Sequence, residues 1–157
     1  MKKYEFTDEI KEVNGVMLRR IRAVRDFGIV CTGELGGWVE SRGNLPDHGE
    51  CWVDDEAMVF GAAKIDDDAV VGGDVIVCGE AMICGDALVE EDRDYIVFKN
   101  WWSSGRYFTW TRSNDKYKVG CFYGSGEELI KKAYADSEEC GREYERIVRY
   151  VESIKNE

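Results

Sequence analysis

The sequence predicts a mainly β fold: a short coil of stacked strands between an N-terminal β-hairpin and a C-terminal α+β module. Three observations predict it. A six-residue repeat runs through residues 52–89, an Asn-Gly pair lies between apolar residues near the start, and aromatic strand patterns near the end precede an amphipathic helix pattern. A chain of 157 residues can bury a core of its own. We expect three parts, at residues 1–51, 52–93 and 94–157.

The N-terminal part begins with a hairpin. Asn14-Gly15 lies between Val13 and Val16, and Asn-Gly favours the tight type I′ turn. We therefore expect residues 9–13 to pair with residues 16–23. Four arginines lie in or just after the second strand, and we expect them to pair with acidic residues, with phosphate binding as the alternative. They are Arg19, Arg20, Arg22 and Arg25.

An irregular first turn of the coil is expected next, over residues 33–51. Val39 lies 14 residues before Val53, so it does not share the phase of the six-residue repeat. The run Gly43-Asn44-Leu45-Pro46 has the composition of a loop within that turn.

The repeat itself has aliphatic residues at its second position and small ones at its sixth. The second position holds Val53, Val59, Ile65, Val71, Val77, Ile83 and Val89, and the sixth holds Ala57, Ala63, Ala69, Val75, Ala81 and Ala87. A period of six does not fit the 3.6 residues of a helical turn, whereas short strands joined by Gly and Asp turns fit it. We expect each strand to stack on one a full turn earlier, with the aliphatic side chains inside.

The C-terminal part is expected to contain three strands and two helices. Strands are predicted at about 95–99, 106–112 and 117–122, separated by turns at 103–105 and 113–115. Ser125 and Glu128 have the spacing of a capping box that opens a helix. A second helix over about 138–155 has an apolar stripe, which we expect to pack on the strands. The stripe consists of Tyr144, Ile147, Val148, Val151 and Ile154.

The repeat resembles the hexapeptide repeat of left-handed parallel β-helices. The chain is similar to small hexapeptide-repeat proteins of phages and prophages. The similarity lies in the run Leu35-Gly36-Gly37-Trp38-Val39-Glu40, then Asn44-Leu45, Cys51-Trp52-Val53 and the repeat. The stretch from Asp94 to Gly124 resembles the tail of the same group. The resemblance implies a left-handed β-helix with 18 residues per turn, a phage-like context and a trimer or dimer. It implies no activity, because the group is uncharacterised.

Composition excludes several function classes. The net charge is −11, and residues 52–94 carry 13 acidic and two basic side chains, so duplex DNA binding is not expected. The sequence has neither an apolar run that could span a membrane nor an export signal. Six cysteines without a C-x-x-C pair, and a single histidine, indicate no metal site. We expect no cofactor, no membrane partner and a reduced location, the cytoplasm of a bacterial host cell.

The candidate ligand site lies in the aromatic C-terminal part. Residues 95–123 hold 10 of the 19 aromatic residues, interleaved with basic ones. Alternation along the middle strand places Arg106, Phe108, Trp110 and Arg112 on one face. Aromatic rings with arginines suit a nucleotide, although the aromatics could instead form the core. The candidate ligand-binding residues are Trp101, Trp102, Ser104, Arg106, Trp110, Arg112, Lys118 and Tyr123.

Trp101 and Trp102 are adjacent, so they cannot both be buried on one face of a strand. One of them should be exposed or lie at a contact between subunits.

Three functions follow from these features. The first is a non-enzymatic, oligomeric binding protein, encoded by a phage, that acts against host defence by sequestering a nucleotide or phosphate-bearing ligand. The second is an acidic mimic of nucleic acid that inhibits a basic host protein such as a nuclease. Its acidic ridge consists of Asp54, Asp55, Asp66, Asp67, Asp68 and Asp74. The third, which we disfavour, is an acyltransferase of the hexapeptide type, with His48 as the general base.

Overall fold

The structure is a computed structural model that describes all 157 residues. It confirms a mainly β fold with two helices at the C-terminal end. The hairpin consists of β1 (Tyr4–Val13) and β2 (Val16–Ala23), which pair antiparallel. Asn14 and Gly15 have φ of 51° and 81°, the left-handed conformation that a type I′ turn requires. Strand β1 starts earlier than predicted because pairing continues past a bulge to Tyr4.

The coil is made of parallel strands that pair with strands one turn away. The first strand is β3 (Leu35–Val39). Seven two-residue strands follow: β4 (Trp52–Val53), β5 (Met58–Val59), β6 (Lys64–Ile65), β7 (Val70–Val71), β8 (Ile76–Val77), β9 (Met82–Ile83) and β10 (Leu88–Val89). Strand β7 lies between β4 and β10, β5 pairs with β8, and β6 pairs with β9. Paired residues in these strands are 18 positions apart, so one turn passes through three sheets.

The second residue of each short strand points into the coil. All seven aliphatic residues at this position, from Val53 to Val89, are fully buried, and the small residues at the sixth position are buried with them. Burying a Val or Ile side chain stabilises a fold by about 1.5–3 kcal/mol, so this ladder supplies much of the coil's stability.

The corners of the coil repeat with the same period. A residue with φ between 53° and 71° recurs every six positions: Gly49, Asp55, Gly61, Asp67, Gly73, Gly79 and Gly85. Glycine adopts this conformation without strain and aspartate tolerates it, which accounts for the Gly and Asp content of the repeat.

The first turn is irregular, as its phase predicts. Strand β3 pairs with β5 at an offset of 20 residues, with Trp38 opposite Met58. Asn44 is buried beneath the next turn, where its amide Nδ2 donates to the carbonyls of Gly61 and Ala63 at 3.0 and 2.8 Å. The predicted loop at 43–46 therefore supplies a buried polar residue that anchors the first turn.

The C-terminal module has four strands, one more than predicted. They are β11 (Tyr95–Lys99), β12 (Tyr107–Thr111), β13 (Lys116–Val119) and β14 (Phe122–Gly124), antiparallel in chain order. The prediction of one strand over 117–122 is wrong because Gly120, at φ 56°, reverses the chain between β13 and β14.

Two helices complete the module, α1 (Gly126–Asp136) and α2 (Glu138–Ile154). The capping box at Ser125 and Glu128 is formed, and Ser137 caps α2 by accepting from the backbone N–H of Cys140. One face of the sheet packs on the helices. On the other face, Tyr95 and Val97 pack against the core of the coil.

No helix of the chain combines the length and the apolar character needed to cross a membrane. All six cysteines are free thiols. The division into three parts, the cytoplasmic location and self-association stay predictions.

Candidate ligand-binding site

A cavity of about 670 Å³ lies in the C-terminal module. Its walls come from the loop between β11 and β12, from β13 and β14 with their connecting turn, and from one side of each helix. Eight of its 14 lining residues are hydrophobic, and the rest include two cations and one carboxylate, from Arg106, Lys132 and Asp136. A mostly apolar cavity with a few convergent polar groups is the usual form of a small-molecule site.

Asn100 organises the loop on one side of this cavity. It is 5% exposed, and its side-chain Oδ1 accepts hydrogen bonds from the backbone N–H of Arg106 and the hydroxyl of Ser104, at 3.1 and 3.3 Å. Its Nδ2 donates to the phenol of Tyr144 at 3.0 Å, and its carbonyl accepts from the N–H groups of Ser103 and Gly105. This single side chain therefore fixes the loop against α2.

Arg106 is held in place without a carboxylate partner. Its guanidinium lies against Gly120, where a Cβ atom would overlap with it, and no acidic oxygen lies within 4.0 Å. The residue is exposed to solvent at the cavity. An arginine whose five donors are not used by a carboxylate can offer two parallel hydrogen bonds to a phosphate or a carboxylate of a ligand.

Lys132 and Asp136 are contributed by α1, one helical turn apart. Both are exposed, and Lys132 makes no salt bridge with Asp136 or with any other acidic residue. Leu129 and Ala133, on the same helix, are buried and give the cavity its apolar wall. The charged residues of the cavity thus carry a net charge of +1 in a protein whose total is −11.

Aromatic rings run from the cavity wall to the surface. Tyr144 lines the cavity, and burial raises the pKa of its phenol. Trp102 packs edge to face on Tyr144, with ring centroids 4.9 Å apart, and its Nε1 is buried without a hydrogen-bond partner. Trp101 packs perpendicular to Trp102 at 5.8 Å and is 69% exposed. The adjacent tryptophans therefore differ in exposure, as their sequence positions indicate.

The structure brings only some of the predicted residues to this cavity. Ser104, Arg106 and Tyr123 line it. Tyr123 also contacts the coil at Gly85, its hydroxyl accepts from Asn114 at 2.9 Å, and burial raises its pKa to about 12.

Of the expected face of Arg106, Phe108, Trp110 and Arg112, only Arg106 lines the cavity. Trp110 is fully buried under the helices, and its Nε1 donates to Asp115 at 2.9 Å. Arg112 stacks on Trp110 and donates to the backbone carbonyls of Arg93 and Lys155, so it caps the C-terminal end of α2. Phe108 is also buried. These side chains hold the module together.

Lys118 lies on the opposite face of the sheet, in register with Thr109 and Tyr123. It is half-buried near Cys84 of the coil. Burial raises the pKa of the Cys84 thiol to about 11, and the charge of Lys118 opposes that shift. Lys118 therefore belongs to the junction between the coil and the module.

Sequence reasoning missed eleven of the 14 lining residues, among them the polar groups of Asn100, Lys132, Asp136 and Tyr144. The position of Asn100 directly after a strand and before a tight turn was a usable signal. Lys132 and Asp136 had none, because they lie on a helix whose placement depends on long-range packing.

The acidic ridge lies on two corners of the coil and is partly used by the fold. Asp55 and Asp67 occupy the corner position, and their carboxylates accept the N–H groups of Gly73 and Gly85, 18 residues later, at 2.9 Å. Asp66 accepts from the N–H of Asp67. Asp54, Asp68 and Asp74 make no side-chain hydrogen bond of this kind. Inhibition by nucleic-acid mimicry stays a prediction.

His48 forms a second candidate site with the coil. Its Nε2 lies 2.9 Å from a carboxylate oxygen of Asp66, and its side chain is 74% exposed. A histidine oriented by a carboxylate is an arrangement that can accept a proton from an acceptor substrate.

Comparison with known proteins finds a relative that shares part of the chain. The chain is 35% identical over 74 residues to a protein of Escherichia coli (strain K12) named "Uncharacterized acetyltransferase YdcK". The similarity covers 41% of this chain and 23% of that protein's length. It is compatible with a hexapeptide-repeat protein. No family model matches the sequence.

Proposed function

We propose that this is a non-enzymatic binding protein that takes a small phosphate-bearing ligand into the cavity of its C-terminal module. The observation that carries the proposal is the pair of cations, Arg106 and Lys132, that line the cavity without a carboxylate partner. Because the two cations line one concave site, an anionic ligand bound there can accept charge-assisted hydrogen bonds from both.

The placement of Arg106 supports the same conclusion. The backbone N–H of Arg106 donates to Asn100, which fixes the main chain beside the cavity, and the guanidinium rests against Gly120. A main chain that is already ordered loses less conformational freedom when a ligand binds. The hydroxyl of Ser104 and the ring of Phe122 add one polar and one apolar contact inside the same cavity.

The coil serves this function as a rigid base. We propose that it is a left-handed β-helix and that the protein is a homo-oligomer, a trimer or a dimer, as the resemblance to hexapeptide-repeat proteins implies. On the same resemblance we propose a phage origin and a role in sequestering a nucleotide signal of the host.

Isothermal titration calorimetry on the full chain tests the binding proposal. Inorganic phosphate, pyrophosphate, ribose 5-phosphate and AMP are suitable probes. Arg106→Gln and Lys132→Gln should each weaken binding by about tenfold, because each removes charge-assisted hydrogen bonds. Lys131→Gln, on the same helix but outside the cavity, and Arg146→Gln, on α2, are the matched controls and should bind as the unmodified protein does. No binding of any probe at millimolar concentration would refute the proposal.

Acyl transfer is a second candidate, favoured by the similarity to the acetyltransferase YdcK and by the pair of His48 and Asp66. In this function His48 takes a proton from the acceptor hydroxyl or amine, and Asp66 orients the imidazole. Release of free thiol from acetyl-coenzyme A in the presence of acceptor sugars and amines is the test. Turnover that His48→Ala abolishes would establish it, and turnover unchanged in that variant would place the activity elsewhere.

A further inference from the structure

We infer that the ligand is a nucleotide with few phosphates, whose base stacks on Trp101 while its phosphate binds Arg106 and Lys132. This inference rests on the proposed function, because it adds the base to a site already proposed for the phosphate. It names Trp101 as the residue that distinguishes a nucleotide from a simple phosphate ester.

Trp101 is the tryptophan that lies outside the hydrophobic core. Three of the five tryptophans are at most 6% exposed, namely Trp38, Trp52 and Trp110, and Trp102 is half-buried. Trp101 alone is 69% exposed. Burying an exposed indole ring gains hydrophobic free energy, so the ring of Trp101 is available for a contact that the isolated chain does not make.

Trp101 lies in the loop that forms one side of the cavity, although it is not itself a lining residue. Asn100, Ser103 and Ser104, on both sides of Trp101 in the chain, line the cavity. The turn that carries them is closed by two hydrogen bonds, from the N–H groups of Ser103 and Gly105 to the carbonyl of Asn100, both at 3.2 Å. Trp101 is therefore attached to the same organised loop that places Arg106.

The ring of Trp101 is supported and still accessible. Trp102 holds it at an interplanar angle of 90°, and Tyr144 of the cavity wall holds Trp102 at 88°. Perpendicular packing covers at most one face of the indole ring. The other face is free for an offset stack with a planar base, which contributes about 1–3 kcal/mol per base, or roughly a 5-fold to 150-fold gain in affinity.

Asp136 restricts the number of phosphates. Its carboxylate lies one turn beyond Lys132 on the same cavity wall, so a chain of phosphates that extends toward it meets repulsion. The two cations balance a monophosphate, and a triphosphate would place excess negative charge near Asp136. A nucleoside monophosphate is thus a better match than a nucleoside triphosphate.

Calorimetry with AMP, ATP, ribose 5-phosphate and inorganic phosphate on the full chain tests the inference. The unmodified protein should bind AMP about tenfold more tightly than ribose 5-phosphate, and more tightly than ATP. Trp101→Ala should remove the advantage of AMP and leave ribose 5-phosphate binding unchanged, whereas Trp101→Phe should keep most of it. Arg106→Gln should weaken both ligands. Tyr107→Ala removes another exposed aromatic ring, on β12 and next to Arg106; it is the matched control and should bind as the unmodified protein does.

The outcomes separate the two proposals. Equal affinity for AMP and ribose 5-phosphate in the unmodified protein would overturn the role of Trp101 and leave phosphate binding in place. Absence of binding by every probe would overturn both. The solution mass of Trp101→Ala is measured by light scattering. If that mass changes while the affinity for AMP does not, Trp101 belongs to a contact between chains and the inference is overturned.

Discussion

The two ends of the coil are closed by opposite chemistry. Between turns of the coil, N–H groups of one turn donate to carbonyls about 17 positions later, as Trp52 donates to Ala69 and Val70 to Ala87, while pairing within the parallel strands runs in both directions. The carbonyl of Cys51, equivalent to that of Ala69, therefore has no donor from an earlier turn, and the N–H of Leu88, equivalent to that of Val70, has no acceptor from a later turn. Unpaired backbone groups of a buried edge must find other partners.

Donors close the start. The ammonium of Lys3 is fully buried and donates to the carbonyl of Cys51 at 2.7 Å, with longer contacts to those of His48 and Gly49. The phenol of Tyr4 donates to the carbonyl of Leu45 at 2.7 Å.

The arginines expected to pair with acidic residues do so in part, since Arg20 pairs with Glu56 and Arg22 with Glu5. Arg20 also donates to the carbonyl of Gly36, and Arg25 donates to the carbonyl of Asp47. The arginine cluster before the repeat therefore serves both ion pairs and unpaired carbonyls.

Acceptors close most of the end, where one donor, the phenol of Tyr95, also binds the carbonyl of Ile76 at 2.8 Å. The hydroxyl of Thr109 accepts the N–H of Met82 at 2.9 Å, and that of Ser113 accepts the N–H of Leu88 at 2.8 Å. The carboxylate of Asp94 accepts the N–H groups that begin the next turn, at 2.8 and 2.9 Å. The C-terminal module therefore caps the end of the coil and also contains the cavity. Neither cap could replace the other, because the two ends leave different backbone groups unpaired.

The largest effect is expected at the start of the coil. Lys3→Met should lower the free energy of unfolding by about 3 kcal/mol, because the buried carbonyl of Cys51 loses its donor and those of His48 and Gly49 lose longer contacts. Urea denaturation measures it, with Lys2→Met, at an exposed position, as the control. A loss below about 1 kcal/mol would show that water closes this end as well as the ammonium does.

A smaller effect is expected at the other end. Thr109→Val keeps the shape of the side chain but removes the acceptor for the N–H of Met82. It should therefore lower the free energy of unfolding by about 1.5 kcal/mol. Thr109→Ser keeps a hydroxyl and should recover most of that loss. Hydrogen exchange at the Met82 amide should accelerate in the valine variant alone, and equal exchange in both variants would contradict the capping role.

A substitution at a corner between the two ends should lower the free energy of unfolding by less than the loss of either cap does. Gly79 has φ 67° and nothing within 4 Å of an added Cβ, so Gly79→Ala tests backbone conformation alone. We expect the free energy of unfolding, measured by urea denaturation, to fall by about 1 kcal/mol. Gly43→Ala, where φ is not positive and only the Ser41 hydroxyl is near, should cost nothing measurable. If both substitutions have the same effect, the corner conformation is not what selects glycine.

Alkaline pH should weaken both ends together. Burial raises the pKa of Tyr4, at the start, and of Tyr123, at the end, from 10.0 to about 12. Between about pH 10 and pH 12 the unfolded chain loses these protons while the folded chain keeps them, so stability is intact below pH 10 and falls as pH rises through this window. Urea midpoints between pH 9 and pH 12 should fall less steeply in Tyr4→Phe and in Tyr123→Phe than in the unmodified protein. If the urea midpoint falls as steeply with pH in both variants as in the unmodified protein, the two tyrosines do not cause the loss of stability.

The sequence by itself determined the periodic parts of the protein. The ladder from Val53 to Val89, the turn at Asn14-Gly15 and the helix start at Ser125 depend on local conformation and on side chains at fixed spacing, which a single sequence displays. Tertiary structure decided what the non-periodic polar residues do. Arg112 caps a helix, Arg106 stays free at a cavity and Lys3 closes the coil, although all three are merely basic residues in the sequence. Their roles depend on which unpaired backbone groups lie nearby after chain segments far apart in sequence have packed, and local patterns carry no record of that.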